Sequence, residues 1–215
     1  MNLTLQFRGH LLVLEALKNT GQYAAQGQAR AINRTASRTR TQAVKRIGKR
    51  MFLKAAYLRE HIEIRRQALP THLQAILRTR ARETRLDRFP NKQVYDRAKN
   101  GGQKRAGVRV QIKRGRPARL IKSAFMVPVR RGKQDGAGGM GIAVRVDVLR
   151  KLGYPVDTGS LGGKGSRKYE VLHTTSIRDL FRDEIEREGL GDELQAYYEA
   201  QTDAEIKRAI VRARR

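Results

Sequence analysis

Cysteine is absent from this 215-residue chain, which excludes a disulfide framework, a thiolate zinc site and redox chemistry at sulfur. Tryptophan is absent too. Aromatic residues make up 6% and hydrophobic residues 39%, which predicts a modest core with extended elements stabilised by partners. The N-terminal stretch MNLTLQFRGHLLVLEALKNTG holds an apolar run too short and too interrupted to span a membrane, and no small-residue cleavage site follows it. No membrane partner is expected, and the protein should stay in the cell that makes it. The most telling absence is of acid, since none occurs from Gln22 to Lys49.

Base is plentiful, with 47 Lys plus Arg against 20 Asp plus Glu and a formal net charge of +27, far beyond what solubility needs. In the acid-free stretch Ala25, Ala29, Ile32, Ala36, Ala43 and Ile47 recur at steps of three, four or seven. That spacing predicts a helix from Gln22 to Lys49 with a narrow, shallow apolar face. Around the face stand Arg30, Arg34, Arg38, Arg40, Lys45, Arg46, Lys49 and Arg50. Their mutual repulsion calls for a polyanion or an acidic neighbour. Candidate contacts to DNA or a partner are therefore Arg30, Arg34, Arg38, Lys45, Arg46 and Lys49, the first three pointing together at spacing four.

The charge reverses from Asp179 to Glu205, which holds ten of the twenty acids against Arg182 and Arg187 alone. Asp183, Glu184, Glu186 and Glu188 are the candidate inter-subunit acidic face. By contrast Arg97 to Lys133 has thirteen cations and no acid. An acidic and a basic pole on one chain suit head-to-tail contacts between identical subunits, and pairing within one chain would leave the same sequence pattern.

The expected fold is α+β: a long basic N-terminal helix packed on a mostly antiparallel sheet or partly closed barrel, with C-terminal helices. Residues 1–60 form the helical N-terminal region, 61–175 the sheet domain with Gly-rich loops, and 176–215 the C-terminal helical region of what is expected to be one compact unit. Leu3 to Asn19 reads as a short strand and helix, Thr20 and Gly21 as a break, and Gly48 as a helix end or kink. Ile62 and Ile64 alternate with charges, and Leu73 to Thr79 alternates again, which predicts two strands joined by a turn; a helix through Leu73 to Arg80 is the alternative. Val108, Val110 and Ile112 alternate along Gly107 to Arg114, one strand runs from Leu120 to Val129, another carries Ile142, Val144 and Val146, and a last one spans Tyr169 to His173. Arg130 to Met140 is a glycine-rich hairpin tip, and Leu149 to Ser166 is loop by composition.

Familiar chemical motifs fail on context. Gly136, Gly138 and Gly141 satisfy GxGxxG but precede a strand, whereas a dinucleotide site follows one and opens a helix. Gly162 to Ser166 lacks the first glycine of a phosphate loop, at Thr158, and Gly165 follows Lys164 where Ser or Thr belongs. His10, His61, His72 and His173 show no ligand spacing. No active site, metal or cofactor is expected. The phenylalanines are spaced as core and not as a stacking platform, so binding to nucleic acid would proceed by charge and not by sequence.

Several blocks, taken in order, resemble the minor tail protein Z family of tailed bacteriophages: Ala31-Ile32-Asn33-Arg34-Thr35-Ala36-Ser37-Arg38 on the basic helix; Leu73 to Ile76 running to Leu86, Arg88 and Phe89; Gly107 to Val110 with Lys122 to Phe125; and Tyr169 to Leu172 leading into Thr175, Ser176, Ile177, Leu180 and Phe181. They span roughly residues 25 to 185. The resemblance implies a structural virion protein, a tail-completion or head-tail joining ring at the neck or head-proximal end of the tail, made in the bacterial host cytoplasm. It implies a homo-oligomer with a hexamer favoured, and as partners the tail terminator, the stopper or other neck proteins, the end of the tape-measure protein and the phage genomic DNA. A free, sequence-nonspecific nucleic-acid-binding protein is the alternative. Replacing Arg30, Arg34 and Arg38 with Glu is expected to leave the fold intact and to block the joining of tails to heads.

Overall fold

Helix α1 runs over Gln22–Arg50, a stretch of Ala, Arg, Gln and Lys whose helix propensity outweighs two interior glycines. The computed structural model describes residues 22–129, 139–151, 153 and 169–213; the expected N-terminal strand and helix, most of the Arg130–Met140 tip and most of the Leu149–Ser166 loop lie outside them. After α1 come α2 (Ala55–His61), β1 (Ile62–Arg66), β2 (Ile76–Thr79), β3 (Glu83–Arg85), a 3-10 turn at Leu86–Arg88, β4 (Asn91–Arg97), β5 (Gln103–Val110), β6 (Arg119–Lys122), β7 (Phe125–Val129), β8 (Gly139–Arg145), α3 (Val146–Lys151), β9 (Tyr169–Val171), β10 (His173–Ser176), α4 (Ile177–Glu186) and α5 (Leu190–Ala213). The fold is α+β, as the alternation of periods predicts.

The described residues fall into two compact units, and these cut across the expected segments. Residues 22–49, 54–82 and 176–213 form one unit, so both ends of the described chain belong together; 50–53 and the described part of 83–175 form the other. In place of one sheet or a partly closed barrel, the strands make four small sheets, ordered β1-β2, β10-β3, β4-β5-β6 and β7-β8-β9. Among the described residues no sheet closes into a barrel.

In the helical unit α1 is not narrowly apolar. Beside Ala29, Ile32, Ala36, Ala43 and Ile47, a second adjoining row of Ala24, Gln28, Ala31, Thr35 and Thr39 is buried as well. Threonine is admitted there because its hydroxyl is satisfied by the helix itself: Thr35 Oγ1 donates to the Ala31 carbonyl at 2.9 Å and Thr39 Oγ1 to that of Thr35 at 2.8 Å. The helix is anchored to the β1 region by Asn33, whose amide exchanges two hydrogen bonds with the backbone of Ala68, at 2.9 and 2.8 Å. Arg40 donates to the carbonyls of Ile62 at 2.7 Å and Arg59 at 2.8 Å, which occupies acceptors at the end of α2. Strands β1 and β2 are antiparallel with Ile62 opposite Thr79 and Ile64 opposite Leu77, which settles the hairpin against the helical alternative. Helix α4 opens on a capping interaction: Ser176 Oγ accepts from the Asp179 N–H at 3.1 Å and donates to Asp179 Oδ2 at 2.6 Å.

In the sheet unit, β4 was not foreseen, and the single strand expected from Leu120 to Val129 is two. They part at Ser123, whose φ of 62° turns the chain. The expected last strand is likewise split into β9 and β10. Val108 and Val110 are buried and Arg109 exposed, as the alternation predicts. Strand β8 does not alternate, since Ile142, Ala143 and Val144 are all buried in the middle strand of its sheet, and Val146 already belongs to α3.

Candidate interaction surfaces

The arginine row of α1 finds its counterion in the same chain. Arg30 donates twice to Glu205 Oε2 on α5, at 3.0 and 2.8 Å, while Arg34 donates to Glu205 Oε1 at 2.9 Å and to Gln201 Oε1 at 3.3 Å. Arg208, one turn further along α5, also binds Glu205 Oε1. The carboxylate side chain is 2% exposed, while Arg30 and Arg34 keep 40% and 46% of theirs in solvent. Burial pushes the Glu205 carboxyl up, but hydrogen bonds and charge from Arg30 and Arg208 outweigh it, so Glu205 sits below its ordinary value and stays ionised. Gly27 permits the approach, since a Cβ there would stand 3.1 Å from Glu205 Cβ. Arg38 lies over the Tyr197 ring with its guanidinium carbon 4.3 Å from the centroid. Arg46 donates to the Glu188 carbonyl at 2.8 Å and pairs with Glu193.

Four of the expected outside contacts, Arg30, Arg34, Arg38 and Arg46, are thus engaged with α5. Glu substitutions at Arg30 and Arg34 would place carboxylates against buried Glu205, so a loss of stability is the expected outcome in place of an intact fold. Lys45 and Lys49 are exposed and form no ion pair among the described residues. The acidic face is divided as well. Asp183 faces Arg187 at 3.6 Å, Glu184 is buried at 2% exposure, and only Glu186 and Glu188 present exposed side chains. The decisive acid, Glu205, lies outside that set.

A different surface stands out in the sheet unit. The register of β4-β5-β6 places Gln93, Val108 and Ile121 side by side on one face and Lys92, Arg109 and Leu120 on the other, with Val94, Gly107 and Lys122 as the next outward row. The inward face is fixed by Gln93, whose amide donates to the Gly107 carbonyl at 2.8 Å and accepts from the Met126 N–H at 3.1 Å. Val108 is fully buried, while Lys92, Arg109 and Lys122 are exposed and none makes an ion pair among the described residues. Lys92 and Arg109 oppose each other directly across the ladder, a like-charge pairing that costs stability. A bulge follows between Val94 and Tyr95, where Gly107 runs so close to β6 that a Cβ would overlap the Ile121 carbonyl oxygen. Sequence reading missed this face because Asn91 and Gln93 take inward positions and hide the alternation of β4. The run of ten cations without an acid from Arg97 to Lys122 was the available signal.

Among the described residues no three of His, Asp and Glu gather as a metal site. His61 accepts from Arg80 at 3.0 Å and meets the Tyr57 ring edge-on, and His72 bonds Gln74 at 3.1 Å, which are structural roles. A hollow of ≈ 350 Å³ on α5 is lined by three cations, Lys207, Arg208 and Arg212, and by Val211, with no carboxylate among them. No helix of the described residues is long and apolar enough to cross a membrane. No protein family, curated protein or solved structure matches the chain.

Proposed function

We propose that the protein is a structural component of the neck or upper tail of a long-tailed phage virion, a tail-completion or head-tail joining ring around the DNA channel. The observation that carries this reading is the ordered series of blocks resembling the minor tail protein Z family over roughly residues 25 to 185. Those blocks sit at structurally demanding places: the middle of α1, the passage from β2 to the 3-10 turn, the bulge of β5 with the Ser123 corner, and the capped start of α4. The reading requires interaction surfaces and no reaction chemistry. A net charge of +27 supplies attraction to genomic DNA, and exposed Glu186 and Glu188 offer a neighbouring subunit's cations an acidic edge. Hexameric assembly and contact with the tail terminator, stopper or tape-measure end belong to this proposal, as does location in the virion.

The second reading, a free DNA-binding protein, is favoured by the same charge. Light scattering across salt concentrations, with the protein alone and with purified neck components, separates the two. A discrete oligomer, formed alone or on a neck partner, is the expected result. A monomer that ignores those components yet binds any duplex overturns the ring.

A further inference from the structure

We propose that the outward face of the β4-β5-β6 sheet, carrying Lys92, Arg109 and Lys122, is a docking surface for the phosphate backbone of double-stranded DNA, held without sequence preference. The assignment rests on the register of this sheet and on the polyanion attraction in the reading above, and it does not require the ring. Three neighbouring strands each contribute one exposed cation to one face, and all three cations lack an acidic partner among the described residues. The chain from Arg97 to Lys122 supplies none either, and the one acid of β4, Asp96, stands opposite Lys104 beyond the bulge. Contrast α1, whose arginines reach a buried carboxylate at 2.8 to 3.0 Å. Repulsion across the Lys92–Arg109 pair is left to something outside the chain, and a polyanion relieves it.

The chemistry of the face favours phosphate over protein. Protein interfaces place aromatic and apolar groups at the centre and exclude charge from it, whereas here three of the six outward positions are cations, beside Leu120, 40% exposed, half-buried Val94 and Gly107. Single strands are disfavoured because neither row holds an aromatic ring on which bases could stack. The platform is also rigid, since the Gln93 amide ties β5 to β7 and Gly107 fixes the bulge beside it. A fixed array of cations loses little entropy when it meets a regular array of phosphates.

The test compares two variants of equal net charge in the full chain: Lys92→Gln/Arg109→Gln/Lys122→Gln on the sheet, and Lys54→Gln/Arg65→Gln/Arg66→Gln on exposed positions of the helical unit. Binding to a fluorescent random-sequence duplex is measured from low to moderate salt, with melting followed by circular dichroism. The sheet variant should bind roughly tenfold more weakly, with a salt slope shallower by about 2 to 3, while the helical-unit variant keeps a slope close to the parent's. Single variants Lys92→Gln and Lys122→Gln, each on an outer strand, should lower the slope by about 1 apiece and decide the matter if the triple variant melts early. Equal loss in both triple variants, or no loss in the sheet variant, overturns the proposal. So does displacement of the duplex by poly-glutamate at equal charge concentration, which would make the face a site for acidic protein. Light scattering of the same samples reports separately on the ring.

Discussion

The arginine row of α1 and the cation rows of the β4-β5-β6 sheet look alike in sequence, and the fold treats them oppositely. In α1 the arginines converge on α5, where one buried carboxylate gathers Arg30, Arg34 and Arg208. In the sheet Lys92 and Arg109 face each other across the ladder with no acid beside them. The lesson is that charge density does not mark a binding surface by itself. What marks it is charge that the chain leaves uncompensated, and only the register and the long-range partners reveal that.

The contrast can be broken most forcefully on the helical side. Arg30→Glu/Arg34→Glu sets two carboxylates against Glu205, and we expect a loss of about 3 kcal/mol, at the low end for a broken buried pair because both arginines are half exposed; urea unfolding reads it directly. On the sheet side the backbone is the sensitive element. Gly107→Ala forces a Cβ onto the Ile121 carbonyl oxygen and should cost about 2 kcal/mol in the same assay, with weaker duplex binding as the platform distorts.

Proton linkage sharpens the comparison further. The carboxyl of Glu205 is held below its ordinary value of 4.5, so the stability it contributes is present above that value and is lost as the pH falls through its lower folded-state value. Glu205→Gln should therefore be less stable than the parent by about 1 kcal/mol at neutral pH, and the gap should close in acid, as melting curves from pH 7 down to about 3 would show. The smallest effect belongs to the sheet: Lys92→Gln should raise stability by about 0.3 kcal/mol by relieving the like-charge pair, while weakening DNA binding. Opposite signs for stability and binding are the signature of a cation kept for a partner.

Periodicity served where one face was apolar and the other charged. It located α1 to within a residue, the β1-β2 hairpin, and the inward Val108 and Val110 of β5. It failed where inward positions accept polar side chains: Thr35 and Thr39 are buried because α1 itself satisfies their hydroxyls, and half-buried Gln93 turns inward because two strands satisfy its amide. The acidic face misled for a related reason. Sequence counts Glu184, Glu186 and Glu205 equally, while packing buries the first and last and leaves the second in water. That Arg30 would meet Glu205 across 175 positions was beyond any local pattern.

That separation also bears on how the molecule is made. The ribosome finishes α1 long before it reaches α5, and at about 5–20 residues per second the helix waits roughly 8 to 30 seconds for its carboxylate to be synthesised. Through that interval a nascent peptide with an acid-free, arginine-rich helix stands among ribosomal and messenger RNA. Closure of Arg30 and Arg34 on Glu205 therefore gives those arginines a counterion that the newborn chain lacks until α5 has been made.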